Sequence, residues 1–172
     1  MNSLATSGKH RLATSIVCVC LVLSAVPCSG VRAQHQDHSQ AVEAIRAARL
    51  TQNEAIAIRS LDEVVRFWSD DITVRASLGF TVTGIPAYRA ALDSDSSIAY
   101  SRQPEEVQVS DRWPLAWEEG TWIGYRRGTG EELISGRYAA QWLWIDGWWK
   151  IRSEIFVAME CSGIACDWPV SK

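Results

Sequence analysis

The chain has 172 residues, a length typical of one domain with a substantial buried core. It carries 17 basic and 20 acidic residues, and its net charge is −3. It has no run of basic residues and no interleaving of basic with aromatic residues. This pattern argues against nucleic acid and anionic membrane surfaces as partners.

The N-terminal residues have the three parts of a secretory signal peptide. Positive charge at residues 9–11 precedes a short apolar run over 12–26, and a small-x-small cleavage motif follows at 31–33. We therefore predict that residues 1–33 are removed and that the mature chain is secreted or periplasmic. A retained membrane anchor and a lipid attached at Cys28 are the alternatives.

Two cysteines remain after export, Cys161 and Cys166. An even pair in an exported chain predicts a disulfide that closes a small loop in the C-terminal tail, residues 161–172. A redox or zinc site favours a Cys-x2-Cys spacing or a nearby histidine, and every histidine here precedes residue 39. The sequence therefore predicts no metal site and no cofactor.

Helix signals dominate the first half of the chain. Asp37 is a candidate N-cap for a helix over 40–58, which is rich in alanine and free of glycine and proline. A capping box at Ser60 predicts a second helix, whose apolar stripe runs from Leu61 to Trp68 and which ends before Asp70-Asp71. Alternating apolar residues predict a strand over 72–78, and a short third helix follows over 84–92.

Strand signals dominate the second half. The predicted strands are 107–111, 115–127, 131–145 and 148–160. An Asp-Gly turn at 146–147 joins the last two. Because helices and strands segregate along the chain, we predict an α+β domain over residues 34–160. About three helices are expected to pack over one face of an antiparallel sheet.

The two turns between the last three strands fix which residues face each other. A two-residue turn places Ser153 on the core face together with the alternate residues of its strand. These alternate residues are Trp149, Ile151, Ile155, Val157 and Met159. A three-residue loop at 128–130 places Glu118 opposite Ala140, and Gly120 and Gly136 beside large aromatic residues. Glycine at such places permits a sharp bend, so we expect a strongly curved sheet around a conical pocket.

Five side chains on the predicted core face are candidate site residues. Glu118 is a candidate general acid or base, because an apolar pocket raises the pKa of a carboxyl group, and Tyr138 is a candidate hydrogen-bond donor. Trp122 and Trp142 would wall a pocket for a ring, and Ser153 would add a polar group. The alternatives are that a bulge turns Glu118 to solvent and that the aromatic residues only fill the core.

A series of short motifs gives the chain a family resemblance. The motifs are Trp68 through Val74, then Gly84, Gly120-Thr121-Trp122, Gly136-Arg137-Tyr138, and Trp142 through Ile151. In this order they resemble the nuclear-transport-factor-2-like (SnoaL-like) superfamily, which includes ketosteroid isomerase, scytalone dehydratase and polyketide cyclases. The closest resemblance is to the family called domain of unknown function 4440. It implies a cone-shaped fold with a pocket, and homodimers formed through the sheet.

The resemblance does not extend to the catalytic residues of those enzymes. The position of the isomerase's general base is Ala76, and its oxyanion-binding groups fall at Gln52 and near Ala140 or Gln141. These side chains cannot abstract a proton or stabilise an oxyanion as the enzyme requires. The resemblance therefore implies the pocket and leaves the chemistry open.

We expect an exported domain that binds a small apolar or aromatic molecule. A general acid–base isomerase, dehydratase or cyclase that uses Glu118 and Tyr138 is the first alternative. A structural or interaction protein that acts as a homodimer is the second. The dimer is expected to use an apolar outer sheet face, since such a patch is the signature of an interface. Its predicted residues are Leu143, Ile145, Trp148 and Phe156.

Overall fold

The computed structural model describes residues 38–171. The predicted signal peptide and the predicted Asp37 cap lie outside this range. None of the helices in the described part of the chain is both long and apolar enough to cross a membrane.

Three α-helices and six strands make up residues 38–161. The helices are α1 (His38–Ala57), α2 (Leu61–Val65) and α3 (Ile85–Asp93). The strands are β1 (Trp68–Arg75), β2 (Thr81–Thr83), β3 (Ile98–Val109), β4 (Leu115–Arg126), β5 (Glu132–Ile145) and β6 (Trp148–Cys161). A 3-10 helix, Gly163–Asp167, follows in the C-terminal tail.

The three helices and the last three strands lie where the sequence predicts them. The first strands differ, since β2 is not predicted and β3 begins at Ile98 rather than at residue 107. The first half of β3 was not predicted as a strand because it does not alternate apolar with polar residues: it buries a charged residue, Arg102, and contains Pro104. The predicted second helix is too long, because Trp68 already belongs to β1.

The six strands form one sheet in the order β2-β1-β6-β5-β4-β3. All neighbours are antiparallel except β1 and β6, which run parallel. Helix α1 packs against β3, and α3 packs against β1 and β2. The predicted class is confirmed: an α+β domain whose curved, mostly antiparallel sheet carries three helices.

The predicted β5–β6 register is confirmed next to its turn, and the predicted β4–β5 register is confirmed from Gly124 outward, beyond a shift at Tyr125. Asp146 and Gly147 have positive φ values of 50° and 85°, as a two-residue turn requires. Trp142 lies opposite Ile151 beyond that turn. Glu118 lies opposite Ala140 across the β4–β5 pair, so its side chain points to the core as predicted.

A β-bulge in β6 exchanges the faces of residues 153–158, up to a second register shift beside Gly136. Ile151 pairs with Trp142, but the next residue of β5, Gln141, pairs with Ser153, which leaves Arg152 as the extra residue. Because side chains alternate with a period of two, one extra residue exchanges the two faces. Glu154 therefore points to the core. The predicted position of Ser153 on the core face is wrong, since it lies beside Gln141 on the outer face.

The same bulge changes the composition of the outer face. Phe156, predicted to be outside, is buried, whereas the residues predicted to alternate inward with Ser153 are exposed. These are Ile155, Val157 and Met159. Trp117 on β4 is also exposed. The outer face is thus still apolar: Trp148 is exposed on it as predicted, whereas Phe156 has left it. Homodimerisation through this face stays a prediction.

Two glycines let neighbouring strands approach where the sheet bends. A Cβ atom on Gly120 would lie 2.0 Å from the carbonyl oxygen of Gln103, and one on Gly136 would lie 1.9 Å from that of Val157. The pairing register also shifts beside each glycine. The backbone thus occupies the space of the missing side chain, as expected where a strand bends sharply.

We expect Gly136→Ala to lower the free energy of unfolding by about 2 kcal/mol or more, because the Cβ overlaps a backbone atom that cannot move away on its own. Thermal unfolding would show a decrease in melting temperature on the order of 5 °C. The control is Ser135→Ala, a truncation of a half-buried neighbour on the same strand. Equal melting temperatures for the two variants would contradict the close approach.

Candidate functional site

Helix α1 carries two fully buried polar residues on the side that packs against the sheet. Arg49 and Gln52 lie about one turn apart and continue the buried face begun by Ala41 and Ile45. Arg49 Nη1 donates a hydrogen bond to Gln52 Oε1. A buried guanidinium is very costly without a counter-charge, so α1 must pack where the sheet provides one.

The sheet provides two carboxylates that bind Arg49, one from β4 and one from β6. Arg49 Nε donates to Glu118 Oε1 of β4 at 2.8 Å, and Arg49 Nη1 donates to Glu154 Oε1 of β6 at 2.9 Å. All three side chains are fully buried. Burial alone would lower the pKa of Arg49, but the two carboxylates outweigh it, and the guanidinium stays charged. One helix residue therefore links two strands of the sheet.

Glu118 is fully engaged by its neighbours. Trp142 Nε1 donates to Glu118 Oε2 at 2.6 Å, and the Tyr138 hydroxyl donates to Glu118 Oε1. The rings of Tyr138 and Trp142 also lie 5.5 and 5.1 Å from the Arg49 guanidinium carbon. Burial raises the pKa of Tyr138, and Glu118 raises it further against the opposing effect of Arg49, so the phenol keeps its proton.

Glu154 is held by three groups that the sequence does not bring together. Besides Arg49, the hydroxyl of Tyr88 on α3 donates to Glu154 Oε2 at 3.0 Å, and Arg102 Nη2 lies 3.7 Å from the same oxygen. Burial alone would raise the pKa of Glu154, but the two arginines and the Tyr88 hydrogen bond lower it below its ordinary value. Glu154 is therefore held as a carboxylate.

A cavity of about 160 Å³ lies next to Tyr88 and Arg102, which are both among the residues that line it. Apolar side chains from several strands, from α3 and from the C-terminal tail wall it. Among them are Val74, Leu92, Tyr100, Trp122, Phe156 and Trp168. Among the described residues that line the cavity, Arg102 is the one with a charged side chain, and none carries a carboxylate.

Arg102 is the polar feature of this cavity. Its side chain is only 2% exposed, and its Nη2 donates to the Tyr88 hydroxyl at 3.0 Å. Its Nε and Nη1 are buried and have no acceptor among residues 38–171. A buried donor without an acceptor costs about 1–3 kcal/mol. Arg102 therefore keeps two buried donors without a partner beside the cavity that it lines.

The tail brings Trp168 to the cavity. Cys161 and Cys166 form the predicted disulfide, with their Cα atoms 5.2 Å apart. Farther on, the backbone N–H of Ser171 donates to the carbonyl of Leu78 at 2.8 Å. The tail is thus fixed at both ends of the segment that carries Trp168, and the disulfide helps to form one wall of the cavity.

A larger groove of about 630 Å³ lies between α1, α2 and the β5–β6 turn. Each of its charged side chains already has a hydrogen-bond partner: Arg66 donates to Glu63 at 2.8 Å, and Lys150 donates to the backbone carbonyl of Arg66. The cavity at Arg102 differs, because two donors of its charged side chain have no acceptor among the described residues.

The candidate residues from the sequence separate into two groups. Trp122 lines the cavity, as predicted. Glu118, Tyr138 and Trp142 do come together, but they bond to one another and to Arg49 in the core and do not line the cavity. Ser153, on the outer face, belongs to neither group.

Sequence reasoning missed four residues of the site. Arg49 could have been identified from the sequence, because it lies on the buried face of α1, where a charged residue needs a partner. Arg102 lies in a segment not predicted as a strand, Tyr88 reaches the site only through tertiary packing, and Glu154 depends on the bulge.

Solved structures of low sequence identity share this architecture. A nuclear-transport-factor-2-like protein of unknown function from Shewanella oneidensis matches with a TM-score of 0.57 and 18% identity, over 67% of this chain and 97% of the other. The chain has the nuclear-transport-factor-2-like fold. A second protein described in the same way, from Cytophaga hutchinsonii, matches at 0.56 and 19%, over 69% and 98% of the two chains.

A ketosteroid isomerase-like protein from Erwinia carotovora has the same fold, with a TM-score of 0.57 and 13% identity over 69% of this chain and 95% of the other. No protein-family model and no curated protein matches the sequence. Identity this low establishes the nuclear-transport-factor-2-like fold alone, because the fold hosts many unrelated functions. Membership in the domain of unknown function 4440 family stays a prediction.

We expect Arg49→Met to lower the free energy of unfolding by about 3–5 kcal/mol, because it leaves two carboxylates buried without their shared cation. The matched control is Arg66→Met, which removes the same charge from an exposed pair with Glu63 and should cost less than about 1 kcal/mol. Urea unfolding measures both. Similar costs for the two variants would contradict the structural role of Arg49.

Proposed function

We propose that this nuclear-transport-factor-2-like domain binds a small, ring-containing molecule in the cavity at Arg102. The observation that carries the proposal is the wall of the cavity, where Trp122, Tyr100, Phe156 and Trp168 surround a space inside the cone. Ligand sites are typically concave and mostly apolar, with a small number of polar groups that orient the ligand. This cavity has that composition.

Acid–base catalysis by Glu118 has no comparable support. Both oxygens of Glu118 accept hydrogen bonds, from Arg49, Tyr138 and Trp142. A general base must lie within hydrogen-bond reach of the proton that it abstracts, and Glu118 does not line the cavity. The binding function therefore stands ahead of the isomerase, dehydratase and cyclase alternatives.

Filling the cavity tests the proposal. Ala91 lines it from α3, while the adjacent Ala90 is exposed on the same helix. We expect a screen of single-ring compounds to give ligands that raise the melting temperature of the wild type and of Ala90→Phe but not of Ala91→Phe. A ligand at 100 times its dissociation constant stabilises the native state by about 2.7 kcal/mol.

The paired design separates occupancy of the cavity from effects on folding. Both variants add the same ring to the same helix, so a general destabilisation of α3 appears in the unliganded melting temperatures. Ligands that stabilise Ala91→Phe as much as Ala90→Phe would place binding elsewhere and would contradict the proposal. No stabilisation of the wild type by any ring compound would contradict it as well.

We further propose that the domain acts after export. The support is the sequence of residues 1–33, in which a positive start, an apolar run and a small-x-small motif follow one another. Expression in a bacterial host with intact secretion should give a periplasmic product whose N-terminal residue, by mass spectrometry, is Gln34. A full-length cytoplasmic product would contradict export, and a lipid on Cys28 would contradict the cleavage site.

A further inference from the structure

Arg102 limits what the ligand in the proposed cavity can be. Its Nη2 is used by Tyr88, but Nε and Nη1 have no acceptor among the described residues, although the residue is only 3% exposed. Buried donors in native proteins nearly always have a partner. An acceptor oxygen on the ligand would supply one, and it would do so beside the apolar walls.

The charges around Arg102 argue that this oxygen belongs to a neutral group. The buried network contains two cations, Arg49 and Arg102, and two anions, Glu118 and Glu154, all nearly without exposure. Its formal charges therefore cancel before any ligand binds. A carboxylate in the cavity would leave one buried negative charge without a cation, which is costly at low dielectric. A carbonyl oxygen accepts the same hydrogen bond at no such cost.

The dimensions of the cavity fit one ring. An apolar cavity of about 150 Å³ is large enough to hold benzene, and this one measures about 160 Å³. Trp122 already donates its indole N–H to the carbonyl of Val157 at 3.2 Å, so it offers only its ring to a ligand. Phe156 stands edge-on to Trp122, with ring centroids 5.8 Å apart. These walls suit a flat ring.

We infer that the cavity takes an uncharged, single-ring molecule whose carbonyl oxygen accepts a hydrogen bond from Arg102. The inference rests on the proposed binding function and specifies its ligand class. The apolar walls bind the ring, and Arg102 discriminates among rings by the group that they carry. Neither an unsubstituted apolar ring nor a ring carboxylate satisfies both conditions.

Three probes of similar size test the ligand class. Acetophenone carries a ring and a carbonyl, ethylbenzene replaces the carbonyl by a methylene group, and benzoate replaces it by a carboxylate. Calorimetric titration of the purified chain should give an affinity for acetophenone about tenfold or more above that for each of the others. A hydrogen bond to a charged donor accounts for a factor of this size.

A substitution at Arg102 assigns the difference to its side chain. In Arg102→Met, acetophenone should lose its advantage and bind within about twofold of ethylbenzene. The matched control is Arg89→Met on α3, which removes an arginine that pairs with Asp62 at the surface and should leave the tenfold preference intact. Should Arg102→Met fail to fold, the ranking of the three probes by the wild type still decides the inference.

The outcomes separate this inference from the function on which it rests. Binding of acetophenone and ethylbenzene with equal affinity would keep the cavity as a binding site and overturn the role of Arg102. Tightest binding of benzoate would overturn the neutral ligand and indicate an anion site. Binding of none of the three probes would contradict the proposed function itself for single-ring molecules.

Discussion

Arg49 is the constraint on which the rest of the structure depends. A fully buried guanidinium cannot lie against an apolar sheet, so α1 packs only where Glu118 and Glu154 converge. Those carboxylates lie on β4 and β6, and their positions require the β4–β5 register and the bulge in β6. The ion network thus selects one arrangement of helix and strands from those that would bury a similar apolar area.

The same network divides the inside of the cone into two parts. On one side, Glu118 and Tyr138 bond to each other and to Arg49, so groups that resemble a catalytic pair instead hold the core together. On the other side, Arg102 lies at the edge of the network and lines the cavity with two donors unpaired. The core contacts and the proposed binding site therefore use different members of one charge-balanced cluster, and a ligand oxygen at Arg102 would leave the bonds of Glu118 undisturbed.

Local chemistry explains which parts of this account the sequence could predict. The Asp146-Gly147 turn could be predicted because both of its residues readily adopt the positive φ values that a two-residue turn requires. Counting residues outward from the turns then placed Glu118 on the core face and Trp122 at the pocket. The bulge at Arg152 could not be predicted, because nothing in the alternation of β6 marks one residue as extra. Ser153 and the residues after it were therefore assigned to the wrong face. Arg102 was not predicted as a site residue because its half of β3, which buries a charge and contains a proline, was not recognised as a strand.

A crystal structure of the chain with acetophenone bound tests the central claim most directly. The account predicts the ring between the aromatic walls at Trp122, with the carbonyl oxygen about 3 Å from Nε or Nη1 of Arg102. It also predicts that Arg49 keeps its bonds to Glu118 and Glu154 unchanged. A ligand oxygen bonded to Glu118 or Tyr138, or a ligand bound outside this cavity, would contradict the division between the structural network and the binding site.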